Sequence, residues 1–246
     1  MSVMRNILAS LVCLMALNAF GQTAEELVAK NLQAKGGVDK IKAIKSIRMS
    51  GDFDAGGFKA TVSQYSKRPG MVREMFTVQG MTQVQAYDGS SGWQISPFGG
   101  RKDPELLGED DVRGLSEDAD IDGPLVDAQA KGNKIEYLGH DTVDGDDAHK
   151  LKVTLKNGDI FYYFLDPETF LEIRVERVRF IRGAVQEDFR EPGSYKLVGG
   201  VYYPFSLEAG SKLHPGNVTK ITIEKIEVNV PLEKREFQMP EAKGGK

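Results

Sequence analysis

The chain has one cysteine, one tryptophan and three histidines in 246 residues, and each shortage removes a class of chemistry. The cysteine, Cys13, lies inside an N-terminal leader in which Arg5 gives a positive start, Ile7 to Leu17 an apolar run, and Ala19 and Gly21 the small residues of a cleavage point. That run falls short of the roughly 20 apolar residues a helix needs to cross a bilayer, so residues 1–21 are expected to leave as a secretory signal, placing a chain that starts at Gln22 in the periplasm. Val12 before Cys13 disfavours lipoprotein processing, which wants a small residue there. Without Cys13 the exported chain has neither disulfides nor a thiol nucleophile. His140, His149 and His214 never stand two or four residues apart, so no zinc site follows from spacing. Basic residues are also outnumbered: without Arg5, 31 face 36 acidic ones, a net charge of −5. Such a balance opposes the counterion displacement on which nucleic-acid binding depends. No second long apolar run follows the leader.

What is present is mostly alternation. Thr23, with Glu26 three residues on, forms a capping box ahead of Ala24, Leu27, Val28 and Leu32, and Gly36 and Gly37 stop that helix. Val38, Ile41 and Ile44 predict a short second helix. From Ile47 the period becomes two: Ile47, Met49 and Phe53 alternate with polar residues, as do Leu151, Val153 and Leu155. Asn157 and Gly158 predict a tight hairpin into "IFYYFLD", which is apolar on both faces. In "NVTKITIEKIEVNV" the apolar phase slips between Ile223 and Ile226, which predicts a bulge in a curved sheet. The expected class is α+β and mainly β: a half-open, strongly curved antiparallel β-barrel of about 9–11 strands, with N-terminal helices and a helical lid insert over residues 103–132. That insert has ten acidic residues and one basic residue, Arg113, between Asp103 and Asp127, which predicts a solvated face. Residues 22–246 are expected to form one domain.

The motifs for chemistry are weak. Asp118, Asp120, Asp122 and Gly123 match the start of a calcium loop, but its twelfth position is Gln129 rather than a bidentate glutamate, which favours an exposed acidic turn and no metal. His140 and Asp141 are expected at a solvent-facing strand end. "DGSSGW" lacks the nucleophile-elbow pattern and is expected at a hairpin tip. No residue is assigned to catalysis, no cofactor is expected, and the chain is read as no enzyme. Met49, Met71, Met75 and Met81, with Phe53, Phe58, Phe76, Trp93 and Phe98 nearby, suit either ordinary core packing or the wall of a cavity for flexible apolar ligands.

At "KRPG", "YDGSSGW" and "PF" (Lys67 to Gly70, Tyr87 to Trp93, Pro97 and Phe98) the chain resembles the periplasmic lipoprotein-sorting family of LolA-like and LolB-like carriers, as do "YFLDPETFLEIRVER" and "GGVYYPFSLE" further on. The resemblance implies a curved sheet plugged by helices around an apolar cavity for acyl chains. It also implies that Arg68 hydrogen-bonds a helical lid and holds the empty cavity shut. Arg68, Trp93, Met49, Phe53, Met71, Val72, Phe76 and Phe98 are the candidate ligand-binding residues. Val72 and Arg73 stand where the carriers have aromatics, so the cavity's shape is expected to differ. The implied function is a monomeric carrier passing lipoprotein acyl chains or lipid from an inner-membrane loading complex to an outer-membrane acceptor, with transient membrane contact and no nucleic acid. Two rivals are kept: a sensor of the same fold that binds lipoproteins or a membrane anti-sigma partner, and an unrecognised hydrolase.

Overall fold

The computed structural model describes residues 22–241; the expected leader lies outside them. Thr23 Oγ1 accepts from the Glu26 amide and Glu26 Oε2 from the Thr23 amide, both at 3.1 Å, so the capping box starts α1 (Ala24–Ala34) as expected. Gly36 and Gly37, both at positive φ, end it and lead into α2 (Val38–Ala43). Then follow β1 (Ser46–Ala55), β2 (Phe58–Lys67), β3 (Met71–Val78), β4 (Met81–Tyr87), β5 (Gly92–Ile95), β6 (Glu105–Leu106) and α3 (Glu109–Asp118). The second half holds β7 (Lys134–Val143), β8 (Asp146–Thr154), β9 (Ile160–Leu165), β10 (Glu172–Ile181), β11 (Ala184–Gly193), the small ribbon β12 (Lys196–Val198) and β13 (Val201–Tyr203), β14 (Ser206–Ser211) and β15 (His214–Val228).

Thirteen of these strands form one antiparallel sheet in the order β6-β5-β4-β3-β2-β1-β15-β14-β11-β10-β9-β8-β7. Its end strands do not pair, so the sheet is curved and half-open, not a closed barrel. The count exceeds the expected 9–11 because short strands such as β5, β6, β12 and β13 carry too few residues to show a period. Met49 pairs with Ile226 and Gly51 with Ile223, and the register shift between Ser50 and Gly51 is the bulge expected from the phase slip. Gly51 is required there: a Cβ would run into the Thr222 carbonyl.

Directly opposed residues share a face, so register assigns every side chain to one of two. The inner face carries Met49, Val62, Gln64, Val72, Glu74, Phe76 and Gln85 on β1 to β4. At its far end, Leu151, Val153, Phe161, Tyr163 and Leu165 pack with Leu27, Leu32, Ile41 and Ile44 of the N-terminal helices and with Leu125, Val126 and Val201. Full burial of one such side chain is worth about 1.5–3 kcal/mol, and this cluster anchors the helices as a plug. α3 covers a second stretch, with Leu115 and Ala119 on Val72. The outer face of β3 to β5 is covered by the C-terminal segment, where Leu232 and Phe237 pack on Met71.

Candidate functional site

Between the plug and α3 the inner face is left open. A cavity of about 390 Å³ lies there, with Met49, Val62, Phe76, Pro204, Leu207, Ala209, Ile221 and Ile223 as its apolar wall. The polar part of the lining is Gln64, Glu74, Gln83 and Gln85 on the sheet, Arg190 on β11 and Asp118 at the end of α3. The apolar wall follows from alternation on β1, β2, β14 and β15. The polar row follows from register, since Gln64, Glu74, Gln85 and Gln94 lie directly across successive strands. Gln85 Nε2 donates to Gln94 Oε1 at 3.3 Å, and Gln94 Nε2 to Glu105 Oε1 at 2.8 Å. Burial, and next the nearby Asp118 carboxylate, push the Glu74 carboxyl up to about 7.

At the mouth, Phe76 meets Phe53 edge to face at 5.1 Å, with Phe58 stacked at 6.3 Å and Phe98 at 6.4 Å. Phe58 and Phe98 are half exposed. The strand directions put the β1–β2, β3–β4, β10–β11 and β14–β15 hairpins at this same end of the sheet. Six exposed apolar side chains therefore share one rim: Phe58, Met81, Phe98, Phe180, Val185 and Leu213.

Arg68 stands at the opposite end, after β2. Its Nε donates to the Ile44 carbonyl at 2.6 Å and Nη2 to the Ile41 carbonyl at 3.2 Å, while Nη1 and Nη2 grip Asp122 at 2.6 and 2.5 Å. This fork ties the sheet to the end of α2 and to the segment after α3. The pair is mutual: Asp122 holds the guanidinium above its usual range, and Arg68 holds the Asp122 carboxyl below its own.

The candidate ligand residues thus divide. Met49 and Phe76 line the cavity, Phe53 and Phe98 pack around Phe76 at its mouth, and Arg68 is a tie outside it. Three need correction. Val72 faces inward but is fully covered by Leu115 and Ala119. Trp93 and Met71 point to the outer face, one register step out of phase with the cavity. Trp93 is 1% exposed, packs with Val84 and Ala86, and donates from Nε1 to the Phe237 carbonyl at 2.7 Å. Of the four methionines considered for the wall, Met49 and Met75 border the cavity, Met49 in the inward phase and Met75 in the outward one, where its side chain packs beside Trp93; Met81 is exposed at the rim.

The acidic insert is not a solvated turn. Asp122 holds Arg68, Asp120 pairs with Lys131 at 2.5 Å, and Asp118 lies 3.9 and 3.7 Å from Arg177 and Arg190. These carboxylates are spent on cations of the sheet and the insert. Asp88 does make the expected hairpin tip, its Oδ1 accepting from the Ser90 and Ser91 amides. His140 lies within β7, not at its end, and meets Asp147 at 2.8 Å on an exposed surface that is no part of the cavity. Glu74 and Arg190 were missed as site residues. In "MVREMFTV" the alternation of Val72, Glu74 and Phe76 held the signal, a glutamate in the phase of two apolar residues.

No family model matches the chain, and no curated protein matches it by sequence. Solved structures do. A LolA superfamily protein from Nitrosomonas europaea superposes with TM-score 0.60 at 13% identity, over 89% of this chain and 98% of that one. A putative outer membrane lipoprotein-sorting protein domain from Vibrio parahaemolyticus gives 0.55 at 14%, over 85% and 97%. A DUF1329 family protein from Desulfovibrio piger gives 0.54 at 13%, over 89% and 98%. At such identities the likeness speaks for architecture alone: the chain shares its fold with these proteins, in line with the expected curved, half-open sheet.

Proposed function

We propose that the protein is a non-enzymatic periplasmic carrier that shields acyl chain, of lipid or of a lipid-modified protein, on its way toward the outer membrane. The observation that carries this reading is the apolar cavity on the inner face of a half-open sheet, with an aromatic mouth at one end and the Arg68 tie at the other. Burying hydrocarbon yields about 0.8 kcal/mol per methylene. The cavity's 390 Å³ sits near the lower end of the roughly 300–1,000 Å³ usual for small-molecule sites, which suits one chain. Release then needs an opposing term. The bonds from Arg68, at about 1.5–3 kcal/mol each for charged partners, favour the closed empty form and are regained on delivery. The exposed rim of Phe58, Met81, Phe98, Phe180, Val185 and Leu213 is the surface we assign to contact with a membrane or acceptor.

Native mass spectrometry of protein taken from its own periplasm tests the reading directly, with adducts of acyl-chain mass expected. Protein that is always free of them, and takes up no chain from lipid vesicles, would end the carrier account. Arg68→Leu should load chain but deliver it to acceptor vesicles at least several-fold more slowly; delivery at the normal rate removes the tie from the mechanism.

A further inference from the structure

The lining of the cavity is more polar than storage of hydrocarbon alone requires. Gln64, Glu74 and Gln85 stand in one row across its sheet wall, with Gln83 beside them. Glu74 makes no hydrogen bond to any described residue, and the groups facing it are Asp118 from α3, Arg190 from β11 and Arg177 from β10. Arg177 is occupied, donating from Nε to Asp188 at 2.8 Å. Arg190 is held more loosely: its ion pair with Asp118 spans 3.7 Å, beyond hydrogen-bond range, its side chain donates no hydrogen bond to a described residue, and that side chain is 40% exposed. Its guanidinium therefore keeps N–H donors free for a charge-assisted hydrogen bond to an anionic group that enters the cavity.

We propose that the cavity takes a single-chain amphiphile by its anionic head, with Arg190 as the head-group cation and the Gln64, Glu74 and Gln85 row as the hydrogen-bonding floor. The chain then lies along Met49, Val62, Leu207, Ile221 and Ile223. This rests on the carrier reading and adds the class of cargo. Charge agrees with it. Arg177, Arg179 and Arg190 stand among Asp118, Asp188, Glu117 and Glu74, so protonation of Glu74 removes one negative charge from beside the head-group position. Since burial pushes Glu74 up to about 7, an anion binds best below neutrality and takes up a proton there.

Calorimetric titration of the purified protein with laurate, dodecanol and dodecyltrimethylammonium tests this. At pH 6 laurate should bind at least tenfold more tightly than the other two, and raising the pH to 8 should weaken laurate at least fivefold while leaving dodecanol unchanged. Arg190→Gln should bring laurate down to the level of dodecanol without altering dodecanol, which also reports that the variant is folded. Glu74→Gln should keep the pH 6 affinity for laurate at pH 8. Equal binding of the three probes by the unaltered protein, or preference for laurate in Arg190→Gln, overturns the head-group assignment and leaves the carrier reading standing. Failure of all three to bind overturns both.

Discussion

Trp93 and Glu74 lie within three neighbouring strands and face opposite ways, so they report on different things. Trp93 is the only tryptophan and is sealed under Phe237, on the side of the sheet away from the cavity. Its emission should be that of a buried indole and should not move when the cavity is saturated; a shift on ligand addition would place the ligand elsewhere. Trp93→Phe leaves the Phe237 carbonyl without its donor and should lower stability by about 1–3 kcal/mol in denaturant melts, with ligand affinity unchanged. Glu74 governs pH instead. Its carboxyl binds its proton more tightly in the folded chain, at about 7, than the ordinary 4.5 of the unfolded one. Between those values the folded state holds more protons, so stability falls as pH rises through the window. Glu74→Gln should therefore be the more stable protein at pH 8, by about 1–3 kcal/mol after allowance for partial exposure, and the gain should vanish near pH 4. Urea melts across that range measure it.

Among the elements, α2 and the segment after α3 are both tied to the end of β2 by one side chain, Arg68, beside the apolar cluster that packs them on the sheet. Asp122→Asn removes the carboxylate while leaving the Ile41 and Ile44 carbonyls, so it should loosen the insert and spare the plug. Hydrogen exchange of residues 109–123 should quicken while α1 and β8 stay protected. Acid should act the same way, because the tie to Asp122 is present above the ordinary carboxylate range and is lost as pH falls through the depressed Asp122 value. How much of this was legible differs by element. The capping box, the Asn157–Gly158 hairpin and the bulge opposite Gly51 were readable because each is fixed by a few neighbouring residues. The faces of β3 and β5 were not. Met71, Val72, Met75 and Phe76 put apolar residues in both phases, because one set is covered by α3 or lines the cavity and the other is covered by the C-terminal segment. A strand buried on both sides loses its alternation, and with it the evidence for which side is hollow. The salt links of Asp118, Asp120 and Asp122 were hidden for another reason: their partners lie at Arg190, Lys131 and Arg68, and only the folded topology brings most of these together.

At the scale of the whole molecule, β1 pairs with β15 in the middle of the sheet, and the two ends of the chain hold its halves together. β2 to β6 lie on one side and β14 to β7 on the other. Removing residues from 214 onward should do more than expose an edge: it separates the halves and takes Ile221 and Ile223 from the cavity wall, so soluble, ligand-binding protein is not expected from such a truncation. Gly51→Ala attacks the same seam at one atom and should cost at least about 1–3 kcal/mol through overpacking against Thr222, read as a lowered melting midpoint. The seam also sets an order of events. A polypeptide emerging N-terminus first holds β1 with half its partners missing until the final long strand arrives, so the hollow cannot exist in a nascent chain and cannot trap hydrocarbon before synthesis and threading are complete.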